Sequence, residues 1–348
     1  MSVNTTKNIT FALVGLIISA ALVFWVVSSD KEGEGLSSTS CGEVSIADMN
    51  WASAEFFAYL DAFILEHGYG CDVKIVPGDT VPTTTSMVEK GQPDIAPELW
   101  TNSVRETLAQ AQKEGRLKTA APIFKEGGEE GWWITQYTAD KHPELKTVQD
   151  VLNRPDLFAH PENKNKGGFM TCPAGWGCEI ANSNLSRAFE FKKSGFELIP
   201  PGSPAGLDAS IAKAYERNQN WFGYYWAPTA ILGRYPMKKL DFDSEYDPKN
   251  WDSCISIPDC PNPKRSSWTV SEVSTMITSE FADSVSAEVT DYLGKRSFEN
   301  QRLNVILAWM AENQAPGAEA AERFLKDQEA VWSQWVSQDA LGRIKAAL

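Results

Sequence analysis

From residue 42 onward, short apolar runs alternate with longer stretches whose apolar residues recur every three or four positions. Residues 43–49 (EVSIADM) read as a strand, after which Phe56, Leu60, Phe63, Ile64 and His67 repeat at helical spacing, with Gly68 and Gly70 as the stop. Residues 72–76 (DVKIV) return to a strand pattern, and a strand–helix–strand unit of this length implies parallel neighbours. Residues 94–99 (DIAPEL) read as a short extended segment, and Ser103 with Glu106 forms an S-x-x-E capping box for a helix reaching about Lys113, with Gly115 after it. Further strands are expected at 131–137, 168–172, 221–226 and 268–278. A helix runs from the Gly-rich turn after 172 to about Lys193, and Pro228 stands at the first turn of a short one. The remainder, 280–296, 299–313 and 317–347, is helical, with Trp309, Trp332 and Trp335 on packing stripes. Alternating strands and helices predict an α/β chain. Its length predicts two domains, one from 41–137 with 267–348 and a second, 138–266, inserted between those halves.

Residues 1–36 follow another pattern. Positions 10–27 are uncharged, with Lys7 before them and Asp30 to Glu32 after, a length at the border between a signal segment and a membrane anchor. Val27-Ser28-Ser29 is a weak cleavage site, so cleavage and retention both stay open, and either puts the rest of the chain outside the cytoplasm. Six cysteines, at 41, 71, 172, 178, 254 and 260, agree with export. They allow fifteen connectivities. The repeated C-x5-C spacing favours Cys172 with Cys178 and Cys254 with Cys260, leaving Cys41 with Cys71 at the starts of neighbouring strands.

Composition narrows the function. Of 348 residues 43% are hydrophobic, which excludes a wholly disordered chain, and the net charge of −14 argues against a nucleic-acid partner. With three His, and no G-x-S-x-G, P-loop or H-E-x-x-H motif, the chain does not read as an enzyme or as the holder of a metal or cofactor. The alternating acids Asp241, Asp243, Glu245 and Asp247 lack the Gly and distal Glu of a calcium loop and read as a solvated loop. His142-Pro143 and His160-Pro161 read as surface turns.

The thirteen tryptophans change the picture most. Trp51, Trp100, Trp176 and Trp226 each fall at the C-terminal end of an expected strand, just before a helix start. In open α/β sheets ligands bind in the crevice outside those ends. Several indoles converging on a crevice suit a quaternary ammonium, which is attracted to their faces. The loop Cys172-Pro-Ala-Gly-Trp176-Gly177-Cys178 adds backbone N–H groups at a helix start, a place for an anionic group.

The GWGCE run with its preceding Cys172, together with Tyr224-Tyr225-Trp226-Ala227-Pro228 and Leu99-Trp100-Thr101, resembles the periplasmic substrate-binding proteins of glycine betaine/proline betaine ABC transporters, over about residues 41–345. The resemblance implies a two-domain periplasmic binding protein of the type II kind, with a two-stranded hinge and a cleft that closes on its ligand. It implies an onium box from Trp100, Trp176 and Trp226, with Trp51 and Trp133 enlarging it, and a carboxylate held by the backbone of Trp176, Gly177 and Cys178. Where some members carry a His four residues after the first Trp, this chain has Val104, so choline, proline betaine, trimethylamine N-oxide and a dimethylsulfonium osmolyte stand beside glycine betaine as ligands. The implied partner is an ABC permease of the inner membrane. A membrane-anchored sensor of the same ligands is the alternative.

Overall fold

A computed structural model describes residues 41–348; the expected signal or anchor segment lies outside the described residues. Among the described residues, ten strands form two five-stranded sheets. The first sheet contains β1 (Glu43–Met49), β2 (Asp72–Gly78), β3 (Ile95–Trp100) and β4 (Leu117–Pro122). The second contains β5 (Glu129–Thr135), β6 (Gly167–Met170), β7 (Phe196–Ile199), β8 (Phe222–Ala227) and β9 (Met237–Lys239), and β10 (Val273–Thr278) returns to the first. Their orders are β2-β1-β3-β10-β4 and β7-β6-β8-β5-β9. In each, three strands run parallel and the remaining pairings are antiparallel. The α/β class follows, and β1 pairs in parallel with β2 from Glu43 opposite Asp72 to Met49 opposite Gly78. Cys41 and Cys71, just before those strands, are bridged.

The chain passes between the sheets twice, after β4 and before β10. The two crossing segments meet where Gly128 and Ser271 exchange backbone hydrogen bonds, 2.8 Å each way. β5 pairs with β8 in the second sheet, although the sequence boundary at 137 groups it with the first segment.

Each sheet has its own aromatic core. Phe56 and Phe57, on the helix Ala52–Phe63, pack with Phe298, and Phe324 joins them. Trp132, fully buried on β5, is ringed by Phe169, Phe189, Phe191, Phe222 and Phe242.

Several elements differ from the sequence reading. Ser103 and Glu106 make no capping box: Ser103 ends a 3-10 turn and Val104 precedes the helix Arg105–Lys113 without a side-chain cap. Pro228 opens no helix, because Thr229 caps Ala230–Arg234. The strand expected at 268–278 begins only at Val273, since 268–272 form a crossing segment. The helix expected to reach Lys193 is Gly177–Ala188. The helix expected at 280–296 breaks into Ser279–Ser284 and Ala287–Lys295, and 317–347 divides into Gly317–Asp327, Glu329–Trp332 and Gln338–Ala347. The helix Thr80–Lys90 went unread because β-branched Thr and a Pro mask its period, and its inner face is partly Thr80, Thr83 and Thr84. β4, β7 and the helix Pro204–Arg217 also went unread; β4 and β7 are short edge strands of mixed polarity.

Candidate functional site

The site is assembled from strand ends. Trp51 follows β1 and is the extended N-cap of the helix Ala52–Phe63; Trp100 closes β3; Trp226 is next to last in β8. Trp176 lies in the loop after β6 and is the N-cap of the helix Gly177–Ala188. These four indoles, each no more than 8% exposed, line one cavity of about 30 Å³. Trp176 is central, with ring centroids 5.3 Å from Trp51 at 77° and 5.0 Å from Trp226 at 84°. Edge-to-face pairs of this kind turn faces and edges toward a shared space. Glu130, Tyr224, Ser103 and Thr80 complete the wall with Gly177 and Cys178. Among the described residues the lining contains no Lys, Arg or His.

Three of the indole N–H groups are held by side-chain acceptors. Trp51 donates to Glu98 Oε1 at 2.7 Å, Trp100 to the same oxygen at 2.8 Å, and Trp176 to Asn50 Oδ1 at 2.7 Å. Glu98 is fully buried, and burial pushes its carboxyl up to about 7 against the opposing hydrogen bonds and the Arg296 charge. Glu130 accepts from Tyr224 Oη at 2.8 Å and from Ser271 Oγ, which in turn accepts from Asn102 at 2.7 Å. Burial raises the Glu130 carboxyl, and its two hydroxyl donors and Lys239 oppose the rise. The box is thus backed by two buried carboxyl groups, one on each sheet.

Close backbone approach matters at two glycines. A Cβ on Gly128 would lie 2.3 Å from the Trp100 ring, and one on Gly177 would lie 2.0 Å from Ser103 Oγ. Ser103 therefore sits against the start of the helix Gly177–Ala188.

Trp51, Trp100, Trp176, Gly177, Cys178 and Trp226 are brought together. Trp133 is not: it alternates with core Trp132 along β5, donates to the Tyr225 carbonyl at 3.0 Å, and carries Lys239 over its ring. Cys172 is bridged to Cys178 and Cys254 to Cys260. Val104 is buried outside the cavity wall. In the acidic loop, Asp241 accepts from the Asp243 N–H and Asp247 caps a short turn. Glu98, Glu130, Ser103 and Thr80 were missed. Glu98 left a signal, a charged residue inside the otherwise apolar run of β3 and two positions before Trp100, on the same face.

Residues 42–327 match the family model described as the substrate binding domain of an ABC-type glycine betaine transport system, OpuAC. The chain belongs to this family. It is similar in fold to an ABC-transporter choline binding protein in complex with choline, at 20% identity and a TM-score of 0.68, over 88% of this chain and 98% of that one. It is also similar to the glycine/betaine/L-proline-binding protein ProX of Borrelia burgdorferi, at 16% identity and a TM-score of 0.68, over 87% and 99%. Lactococcal OpuAC, closed on glycine betaine, aligns at 17% identity and a TM-score of 0.63, over 85% and 100%. The OpuAC family consists of transporter substrate-binding proteins that work outside the cytoplasm. Among the described residues no helix is long and apolar enough to cross a membrane.

Proposed function

We propose that this OpuAC-family protein captures a small methylated onium ligand among Trp51, Trp100, Trp176 and Trp226 and delivers it to an ABC permease of the inner membrane. The carrying observation is the convergence of four buried indoles on one cavity, which at about 30 Å³ has room for about two waters and must widen as the cleft opens to admit a trimethylammonium group. Each face offered to an onium contributes on the order of 0.5–2 kcal/mol, so four faces span about 2–8 kcal/mol, and the desolvated upper end matches the roughly 8 kcal/mol of a micromolar site. The two sheets are the cores of two lobes, hinged where Gly128 meets Ser271, and the box lies where strand ends of both lobes converge.

The wall composition favours an onium without a carboxylate. Glu130 faces the cavity, no cationic side chain lines it, and Ser103 crowds the helix start that would hold an anion. Choline, which carries no anionic oxygen, fits this wall better than glycine betaine, whose carboxylate would stand near Glu130; trimethylamine N-oxide, with a smaller oxide charge, stands between them. Intrinsic Trp fluorescence and calorimetry with these three compounds, a sugar and an amino acid test the reading. Trp176→Ala and Trp226→Ala should each weaken onium binding at least about a hundred-fold while circular dichroism is unchanged. Unchanged affinity in both variants, or a response to the sugar or amino acid alone, sinks it.

A further inference from the structure

We propose that Glu98 is a positioning residue of the box: its ionised carboxylate, bonded to the indole N–H of both Trp51 and Trp100, fixes those two rings and makes their faces more attractive to a cation. This inference rests on the onium reading above. Three donors converge on the single oxygen Oε1: Trp51 Nε1 at 2.7 Å, Trp100 Nε1 at 2.8 Å and Ser53 Oγ at 3.1 Å. The other oxygen, Oε2, is buried and has no hydrogen-bond partner among the described residues. Every hydrogen bond that Glu98 accepts thus falls on the oxygen that holds the two indoles.

The physical link is electrostatic. The attraction of a cation to an indole face comes from the ring's charge distribution. An anion accepting from the N–H polarises that ring, and hydrogen bonds polarise one another more strongly at low dielectric. One carboxylate therefore acts on two walls without touching the ligand.

The charged surroundings of Glu98 are few. From the helix Ala52–Phe63 come Ser53 and the fully buried Asp61. After the helix Ala287–Lys295 comes Arg296, which lies 2.7 Å from Asp61 and whose charge reaches Glu98. Tyr292 of that helix donates to Asp61 at 2.5 Å, and Thr275 of β10 accepts from Arg296 at 2.8 Å. Across the cavity stand Glu130 and its donor Tyr224. One buried guanidinium thus serves two buried carboxyl groups, and a bound onium adds a second positive charge. Because burial pushes the Glu98 carboxyl up to about 7, the favourable ionised form is lost as pH falls through neutrality.

The decisive variant is Glu98→Gln, which keeps an acceptor and removes the charge. Calorimetry with choline and with trimethylamine N-oxide, on the full chain at pH 6 to 8.5, should show wild-type affinity falling about ten-fold toward pH 6. E98Q should be about ten-fold weaker at pH 8.5 and lose the part of the slope that Glu98 supplies; Asp61, Glu130, Asp48 and Asp208, also raised by burial, remain in both proteins. Equal affinity and an equal slope in E98Q overturn the inference and leave the onium reading standing. No binding of either compound by wild type at any pH overturns both. If E98Q fails to fold, the indole N–H band in ultraviolet resonance Raman spectra of wild type decides: a shift that tracks the affinity change with pH supports the assignment, and an invariant band overturns it.

Discussion

At the residue scale, three of the four cavity tryptophans are held by side chains behind them. An indole in a loop has freedom about two torsions, and a cation box works only when several faces are aimed together. Here three indole N–H groups are held by two acceptors, Glu98 Oε1 shared by Trp51 and Trp100 and Asn50 Oδ1 for Trp176. Glu130 has a different task, because it lines the cavity itself. Glu130→Gln removes the charge while keeping an acceptor for Tyr224. Its choline affinity should fall at least about ten-fold, while glycine betaine is unaffected or gains. Competition calorimetry at constant pH reads the ratio, and a parallel loss for both ligands counts against charge selection at this position.

At the element scale, two backbone devices hold the walls. The Cys172–Cys178 bridge closes the short loop that carries Trp176. Cross-linking so short a loop contributes only about 2 kcal/mol of stability. Cys172→Ser with Cys178→Ser should therefore lower the melting temperature modestly but weaken onium binding at least about ten-fold, since the freed loop must be ordered on binding. Equal binding by the double variant would show that packing alone aims Trp176. The second device is Gly128, at the crossing between the sheets, where a Cβ would stand 2.3 Å from Trp100. Gly128→Ala must push the ring or the crossing segment aside. It should impair binding in titrations of Trp fluorescence more than it impairs stability to urea.

At the scale of the whole molecule, the buried charges set stability against pH. Glu98 ionises near 7 in the folded protein but near the ordinary 4.5 when unfolded. A carboxyl raised in this way stabilises the fold fully at low pH, and the contribution is lost as pH rises through the folded value. Asp48, Asp61 and Asp208, raised to about 6, act in the same direction. The melting temperature of the ligand-free protein should therefore be higher at pH 5 than at pH 8, by several degrees for a Glu98 contribution of about 3 kcal/mol. Scanning calorimetry checks this, and a melting temperature that rises from pH 5 to 8 contradicts it. Onium affinity should move the opposite way, so stability and binding are traded at one carboxyl. Arg296 lies in the same core, paired with Asp61 and fully buried. Arg296→Met leaves an uncompensated carboxylate and should cost about 3–5 kcal/mol in denaturant titrations.

Much of this was legible in the sequence. The strand and helix patterns at 43–76 reflect local periodicity, and the parallel pairing of β1 with β2 follows from the length of the connection. Trp51, Trp100, Trp176 and Trp226 stood out because strand ends in such sheets face a crevice, which is a property of chain direction. The repeated cysteine spacing gave the local bridges, since six-residue loops close readily. What only the tertiary structure decided are contacts between segments distant in the chain. Trp133 and Trp132 are neighbours in one motif, yet the pleat of β5 sends Trp132 into a phenylalanine core and Trp133 to the Tyr225 backbone. Ser103 reads as a helix cap until Gly177, over seventy positions away, is found against it. Glu98 is a lone acid in an apolar strand, and nothing local says that two indoles and a serine will close on it. A sequence records periods and spacings along one dimension. The partners that orient a buried carboxyl are set by which strand ends the two sheets bring together.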